Sequence, residues 1–165
     1  MSIMNGLVRG KVVSEPDDLG RVKVRIPFLG ENSETYYAPI ATFMAGKERG
    51  AWIIPEVDDD VVIGFEQGNV EQPIILGFIW NGQNMPPSGD RHERTIHSAN
   101  GHTITLYDPD VSQGDQGFIR IEDAHGNRIE LTNAMLSIKG ISIITIDAPT
   151  VLINKRLVSL SPSLI

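Results

Sequence analysis

The chain of 165 residues carries 14 Lys/Arg against 21 Asp/Glu, a formal net charge of −7, with 41% apolar and 21% charged side chains. That balance excludes a disordered tail, and 16 Gly with 10 Pro argue against a helical bundle and for short strands joined by turns. Zero cysteines remove disulfides, thiolate nucleophiles and cysteine zinc sites, and the acidic charge disfavours a nucleic-acid partner.

No segment reaches the roughly 20 apolar residues of a membrane helix. Met1 to Gly10 lack the apolar run of a signal peptide, so synthesis in the cytoplasm is expected. Residues 1–90 hold 7 basic and 13 acidic side chains and residues 91–165 hold 7 and 8, so the halves differ in kind. Asn81 to Asp90, rich in Pro, Gly, Asn and Ser, supports neither strand nor helix period. The expected organisation is a barrel domain over 1–82, a linker over 83–94 and a second domain over 95–165.

In the first half the pattern predicts strands at Val8–Val13, Arg21–Ile26, Tyr36–Ala41, Ala51–Ile54, Val61–Glu66 and Ile74–Trp80. Arg21 to Ile26 alternates strictly, which puts Val22, Val24 and Ile26 on one face and Arg21, Lys23 and Arg25 on the other. About six strands in about 80 residues suit an oligonucleotide/oligosaccharide-binding (OB) type barrel. Trp52 and Trp80 sit in apolar blocks and are expected in its core.

The second half contains a repeat. Ser98 to Asp108 aligns with Asp123 to Asn133 at an offset of 25 residues, and Asn100-Gly101 and His125-Gly126 each read as a tight turn feeding an alternating strand. Further strands are predicted at Phe118–Glu122, Met135–Ile138, Ile141–Ile146, Val151–Ile153 and Leu157–Leu160. From 134 to 165 only Lys139, Asp147, Lys155 and Arg156 are charged, so one strand layer would expose its apolar side and its edges. The expectation is an intertwined trimeric β-helix with Ile104, Leu106, Ile129, Leu131, Ile138, Ile143, Ile146, Val151 and Ile153 towards the axis. A two-layer sandwich completed within one chain is the alternative.

Several polar groupings invite chemical readings. Asp58, Asp59 and Asp60 lack the ligand spacing of a calcium loop and read as a solvated turn. His92, His97 and His102 recur every five residues, which suits neither a helix nor a strand face. Ser98 beside His97 lacks the Gly-x-Ser-x-Gly elbow of a nucleophile. No metal, no cofactor and no enzymatic activity are therefore expected. Arg21, Lys23 and Arg25 form a basic stripe that could track phosphates, but the acidic first half and an aromatic content of 6% argue against a base-stacking platform.

The blocks Leu19 to Pro27, Tyr37 to Ala41, Ala45-Gly46, Gly50 to Val57, Val61 to Asn69, Gln72 to Gly77 and Trp80 to Gly82, in this order, resemble the barrel domain of the phage baseplate assembly protein V family. That barrel also occurs in VgrG spikes of type VI secretion and in extracellular contractile injection systems. The matching positions are Gly20, Arg21, Val22, Pro55, Val57, Phe65, Gly68, Pro73, Gly77, Asn81 and Gly82. The family commonly has glycine after Pro-x-Val, where this chain has Asp58, and that departure leaves the turn type open.

The resemblance implies an all-β homotrimer: an N-terminal OB-fold barrel, then a C-terminal β-helical needle that acts as the central, membrane-puncturing spike of a contractile tail's baseplate. It implies docking on a hub protein, here expected as a separate polypeptide because strand one begins within ten residues of Met1. It also implies a PAAR-like tip protein, for which Leu160, Ser161, Pro162, Leu164 and Ile165 are the expected seat, and transient contact with a target membrane. The assembled particle would be a phage tail or injection device. The competing functions are a single-stranded nucleic-acid-binding OB protein and a receptor- or carbohydrate-binding tail fibre. The fibre would need an exposed aromatic groove, and no aromatic residue follows Phe118.

Overall fold

The computed structural model describes residues 4, 6–30 and 33–158. They contain strands and three short 3-10 turns, with no α-helix among the described residues. The chain separates into two compact units, Met1–Pro86 and Pro87–Ile165.

In the first unit the strands are β1 (Val8–Val12), β2 (Val24–Arg25), β3 (Ala45–Gly46), β4 (Arg49–Gly50), β5 (Asp60–Phe65) and β6 (Pro73–Phe78). One antiparallel sheet runs β2-β1-β5-β6, while β3 and β4 form a small hairpin of their own. The segment 33–41 closes the sheet into a barrel. Its Ala38 pairs antiparallel with Val22, its Ile40 pairs parallel with Ile75, and Ala41 N–H donates to the Ile75 carbonyl at 2.8 Å. Closure leaves no free edge between β2 and β6, which is the topology of a five-segment Greek-key barrel.

The core follows from the period-two alternation of these strands. Val12, Val22, Val24, Ile26, Ala38, Val61, Ile63 and Ile75 are buried, with Val8, Ile40, Ile54 and Phe65 packed around them. Gly10 sits among them because a Cβ there would run into Val24 and Ile63, and a larger residue would force the barrel wall outwards.

Sequence expectations and structure part at several places in this unit. Tyr36–Ala41 pairs only through isolated bridges, and Ala51–Ile54 forms no strand. Proline at 39 has no N–H to donate to a ladder, and the Ala45–Gly50 hairpin ends immediately before Ala51. Trp52 and Trp80 are not in the core: they are 72% and 63% exposed. The small barrel is already filled by aliphatic side chains, and the Trp52 ring instead lies over Gly20, whose φ of +73° belongs to the turn before β2. Asp17 holds that turn, accepting from the Leu19 and Arg21 N–H groups and pairing with the Arg21 guanidinium at 2.7 Å. The Arg21 hydrogen bond keeps the Asp17 carboxyl below its ordinary value.

In the second unit β7 (Glu93–His97), β8 (Thr103–Tyr107), β9 (Phe118–Glu122), β10 (Arg128–Leu131) and β11 (Leu136–Lys139) form one sheet in the order β11-β10-β9-β8-β7. Every pairing is antiparallel, so each strand returns along its predecessor in a meander rather than climbing without return. The 25-residue repeat marks its two equivalent hairpins. Gly101 and Gly126 have φ of +89° and +88°, and in both turns an N–H three residues on donates back, Gly101 to Ser98 and Gly126 to Asp123. The side chains of Ser98 and Asp123 cap the same turns by accepting from His102 and Asn127 N–H.

β7 takes in Glu93 and Arg94, which the sequence pattern assigns to the linker; pairing with β8 through Arg94 and Leu106 draws them into the sheet. A short hairpin of β12 (Leu152–Ile153) and β13 (Arg156–Leu157) follows. The expected strand at Ile141–Ile146 is absent: these residues are irregular, with Ile143 80% and Ile146 65% exposed. β-branched residues favour a strand only where a neighbour supplies a ladder and a face to pack on, and this segment has neither among the described residues.

Candidate functional site

Cross-strand register sorts the β7–β11 sheet into two unlike faces. On one face Ile96, Ile104, Ile121, Ile129 and Ile138 stand side by side across all five strands. The adjacent row reads Arg94, Leu106, Ile119, Leu131 and Leu136. Nine of those ten side chains are aliphatic, and their exposures run from 42% at Ile129 to 65% at Ile96 and Leu136. Single exposed apolar residues are ordinary, whereas two contiguous rows of them are a surface awaiting a cover.

The opposite face is polar, and the buried Arg128 Nε on it has no hydrogen-bond partner among the described residues. Arg120 forms an ion pair with Glu130 at 2.5 Å, and Glu130 is only 7% exposed. Thr95 and Thr105 are in hydrogen-bond contact at 3.2 Å. Tyr107 stacks on Phe118 with centroids 5.2 Å apart, and the Arg120 guanidinium lies 4.3 Å from the Phe118 centroid. Apart from Arg94, the sheet therefore carries its charges on one side and its isoleucines, the more exposed of the two sets, on the other.

Of the residues expected at a trimer axis, Ile104, Leu106, Ile129, Leu131 and Ile138 lie together in these rows. Ile143 and Ile146 lie in the irregular segment, Ile153 is in β12 at 65% exposure, and Val151 is half-buried beside it. Ile96, Ile119, Ile121 and Leu136 complete the rows and escaped the sequence reading. Cross-strand register, which a single strand's alternation does not show, is the signal that unites them. Leu160, Ser161, Pro162, Leu164 and Ile165 lie outside the described residues.

The barrel's motif positions have structural work. Val22, Pro55, Gly68 and Pro73 are buried, Phe65 packs on the core, and Val57 is 44% exposed. Gly77 is half-buried in β6 and Gly82 is exposed. Asn81 ties down the barrel exit: its Nδ2 donates to the Asp60 carboxylate and its Oδ1 accepts from Gln83 and Asn84 N–H at 2.7 and 2.6 Å.

The polar groupings are engaged locally. The His92 ring nitrogen Nδ1 contacts the Asp108 carbonyl at 2.8 Å, and His102 Nδ1 accepts from Ala124 N–H at 3.2 Å. Among the described residues no group of three His, Asp or Glu side chains is placed to hold a metal ion. Among them, too, no helix is long and apolar enough to cross a membrane.

Residues 4–80 match the family model described as the type VI secretion system/phage-baseplate injector OB domain. Among curated proteins the chain is 29% identical over 116 residues to the type VI secretion system spike protein VgrG5 of Pseudomonas aeruginosa, an alignment covering 67% of this chain and 14% of that protein. It is 26% identical over 136 residues to the spike protein VgrG1a of the same organism, covering 74% of this chain and 21% of the relative. A third relative is the actin cross-linking toxin VgrG1 of Vibrio cholerae, 31% identical over 75 residues, which are 43% of this chain and 7% of the toxin. The chain thus spans less than a quarter of the length of each. The closed five-segment barrel lies under the matched residues, so the first unit holds an OB domain similar to that of type VI secretion and phage-baseplate injectors, and the chain as a whole is similar to VgrG spike proteins.

Proposed function

We propose that this chain works as a homotrimer at the centre of a contractile baseplate, with the barrels at the base and the second unit forming a needle. The observation that carries this reading is the pair of apolar rows on the β7–β11 sheet, left half-exposed in a single chain. Covering the rest of one such side chain is worth about 1 kcal/mol, so nine per copy supply on the order of 10 kcal/mol against the cost of association. Three copies placing these rows around one axis would bury them together and turn the Arg120–Glu130 faces away from that axis.

The proposed role is mechanical and not enzymatic. Sheath contraction would push the assembly forward, and the needle would carry compressive load into the target membrane because opening it requires many strand contacts to break at once. The barrel would dock on a hub protein, and Leu160, Ser161, Pro162, Leu164 and Ile165 would receive a PAAR-like tip protein. Actin cross-linking belongs to the Vibrio cholerae toxin, of which the matching stretch is a small part.

Sedimentation equilibrium tests the core of this reading. The wild-type chain should run at three times its 18.1 kDa. Ile121→Asp, in the middle of the apolar row, should abolish the trimer; because Ile121 is 50% exposed in the single chain, it should do so without unfolding the first unit. A wild-type monomer at micromolar concentration would end the proposal.

A further inference from the structure

The first unit is acidic overall, yet its cations are not scattered. Arg9 and Lys11 on β1 alternate with the inward Val8, Gly10 and Val12, and Arg21, Lys23 and Arg25 alternate with the buried Val22, Val24 and Ile26. All five therefore project from the outer wall made by β1 and the Arg21–Ile26 segment, leaving only Lys47 and Arg49 as cations elsewhere in residues 1–86. Lys11 and Arg25 are direct cross-strand partners. Like charges directly opposite each other on a sheet are destabilising, so the isolated barrel carries an electrostatic cost there. Asp60 and Glu34 stand across from Lys11 and Arg25 in register. Among the described residues, however, the only one of the five cations in an ion pair is Arg21, with Asp17.

We infer that this wall is a docking surface for a carboxylate-rich protein surface, the charge-complementary partner that would relieve the repulsion. The inference rests on the spike reading and specifies the chemistry by which the barrel meets its neighbour in the baseplate. One observation favours protein carboxylates over a single nucleic-acid strand. Strand binding without sequence preference needs aromatic faces free to stack bases, and the Tyr37 ring on this wall is already taken, with Arg21 at 5.8 Å and Lys23 at 5.3 Å from its centroid.

The test uses the full chain and two labelled probes in fluorescence anisotropy, a peptide of ten glutamates and a dT15 oligonucleotide. The glutamate peptide should bind at low salt and weaken about tenfold as salt rises into the physiological range, because screening removes contacts between exposed charges. Arg9→Glu with Arg25→Glu should weaken it at least tenfold more, and the neutral pair Arg9→Gln with Arg25→Gln should give a smaller loss in the same direction. Both sites are exposed, which spares the fold. Lys47→Glu, away from the wall, should leave binding unchanged. Three results would overturn the inference: no peptide binding at low salt, binding indifferent to the Arg9/Arg25 changes, or dT15 binding as tightly as the peptide. Sedimentation of the same samples separates this from the spike reading, since the wall variants leave the apolar rows of the second unit untouched and should remain trimeric.

Discussion

Asp58, at the position where the family resemblance implies glycine, has a φ of +76°, in the left-handed region that glycine favours. The turn is closed by Asp59 N–H donating to the Glu56 carbonyl, with the Asp59 carboxylate accepting from Glu56 N–H at 2.9 Å. A non-glycine residue in the left-handed region costs about 1 kcal/mol, less for aspartate than for most. Asp58→Gly should accordingly raise the stability of the barrel by about 0.5 kcal/mol, read as a higher midpoint in urea unfolding. Asp123 makes a second residue-scale case. The Asn127 side chain donates to it at 2.7 Å, with Asn127 and His125 N–H both at 2.9 Å, and these bonds lower its pKa from 3.8 to about 2. Because the folded value lies below the unfolded one, the contribution is present above pH 3.8 and is lost as the pH falls towards 2. An NMR titration of the Asp123 carboxyl should show the depressed value, and Asn127→Ala should return it towards 3.8. A sequence pattern offered the Asp and the turn glycine but not the carboxylate's three donors, because these depend on the turn already being folded.

Among the elements, the β7–β11 sheet shows how far alternation carries and where it stops. The strands at 103–107, 118–122, 128–131 and 136–139 and the repeated glycine turns were legible as period-two runs bounded by turn formers. Which strand lies beside which was not, since that depends on where each hairpin reverses the chain. The same limit explains Ile141–Ile146, which has strand composition without a strand partner, and β7, whose Glu93 and Arg94 look like linker until paired with Tyr107 and Leu106. On the polar side of this sheet the Arg120–Glu130 pair is the element's electrostatic anchor, with Glu130 nearly enclosed. Arg120→Met should destabilise the second unit by about 2 kcal/mol by leaving a buried carboxylate without its partner. Adding Glu130→Gln should recover part of that loss, measured by chemical denaturation of the two variants in parallel.

At the scale of the whole molecule, the two compact units meet different physical demands. The barrel buries a complete aliphatic core within one chain and closes its sheet through the Val22–Ala38 and Ile40–Ile75 bridges. The second unit is a sheet with one face uncovered. A fragment of residues 1–86 should therefore melt cooperatively by itself and sediment as a monomer, whereas the full chain should be trimeric under the proposal above. A trimeric barrel fragment would move the association surface from the isoleucine rows to the first unit.

Composition and alternation alone determined that this is an all-β protein with many short strands, that Val22, Val24 and Ile26 turn inward, and that the second half has more apolar surface than one chain layer can hide. Those properties are local: they follow from which side of a strand each residue must occupy. The exposure of Trp52 and Trp80, the closure of the barrel, and the assembly of five basic residues into one wall and nine aliphatic residues into one face were decided by tertiary structure. Each depends on which distant segment becomes a neighbour. Period-two patterning assigns a side chain to a face, but only pairing and packing determine what that face meets.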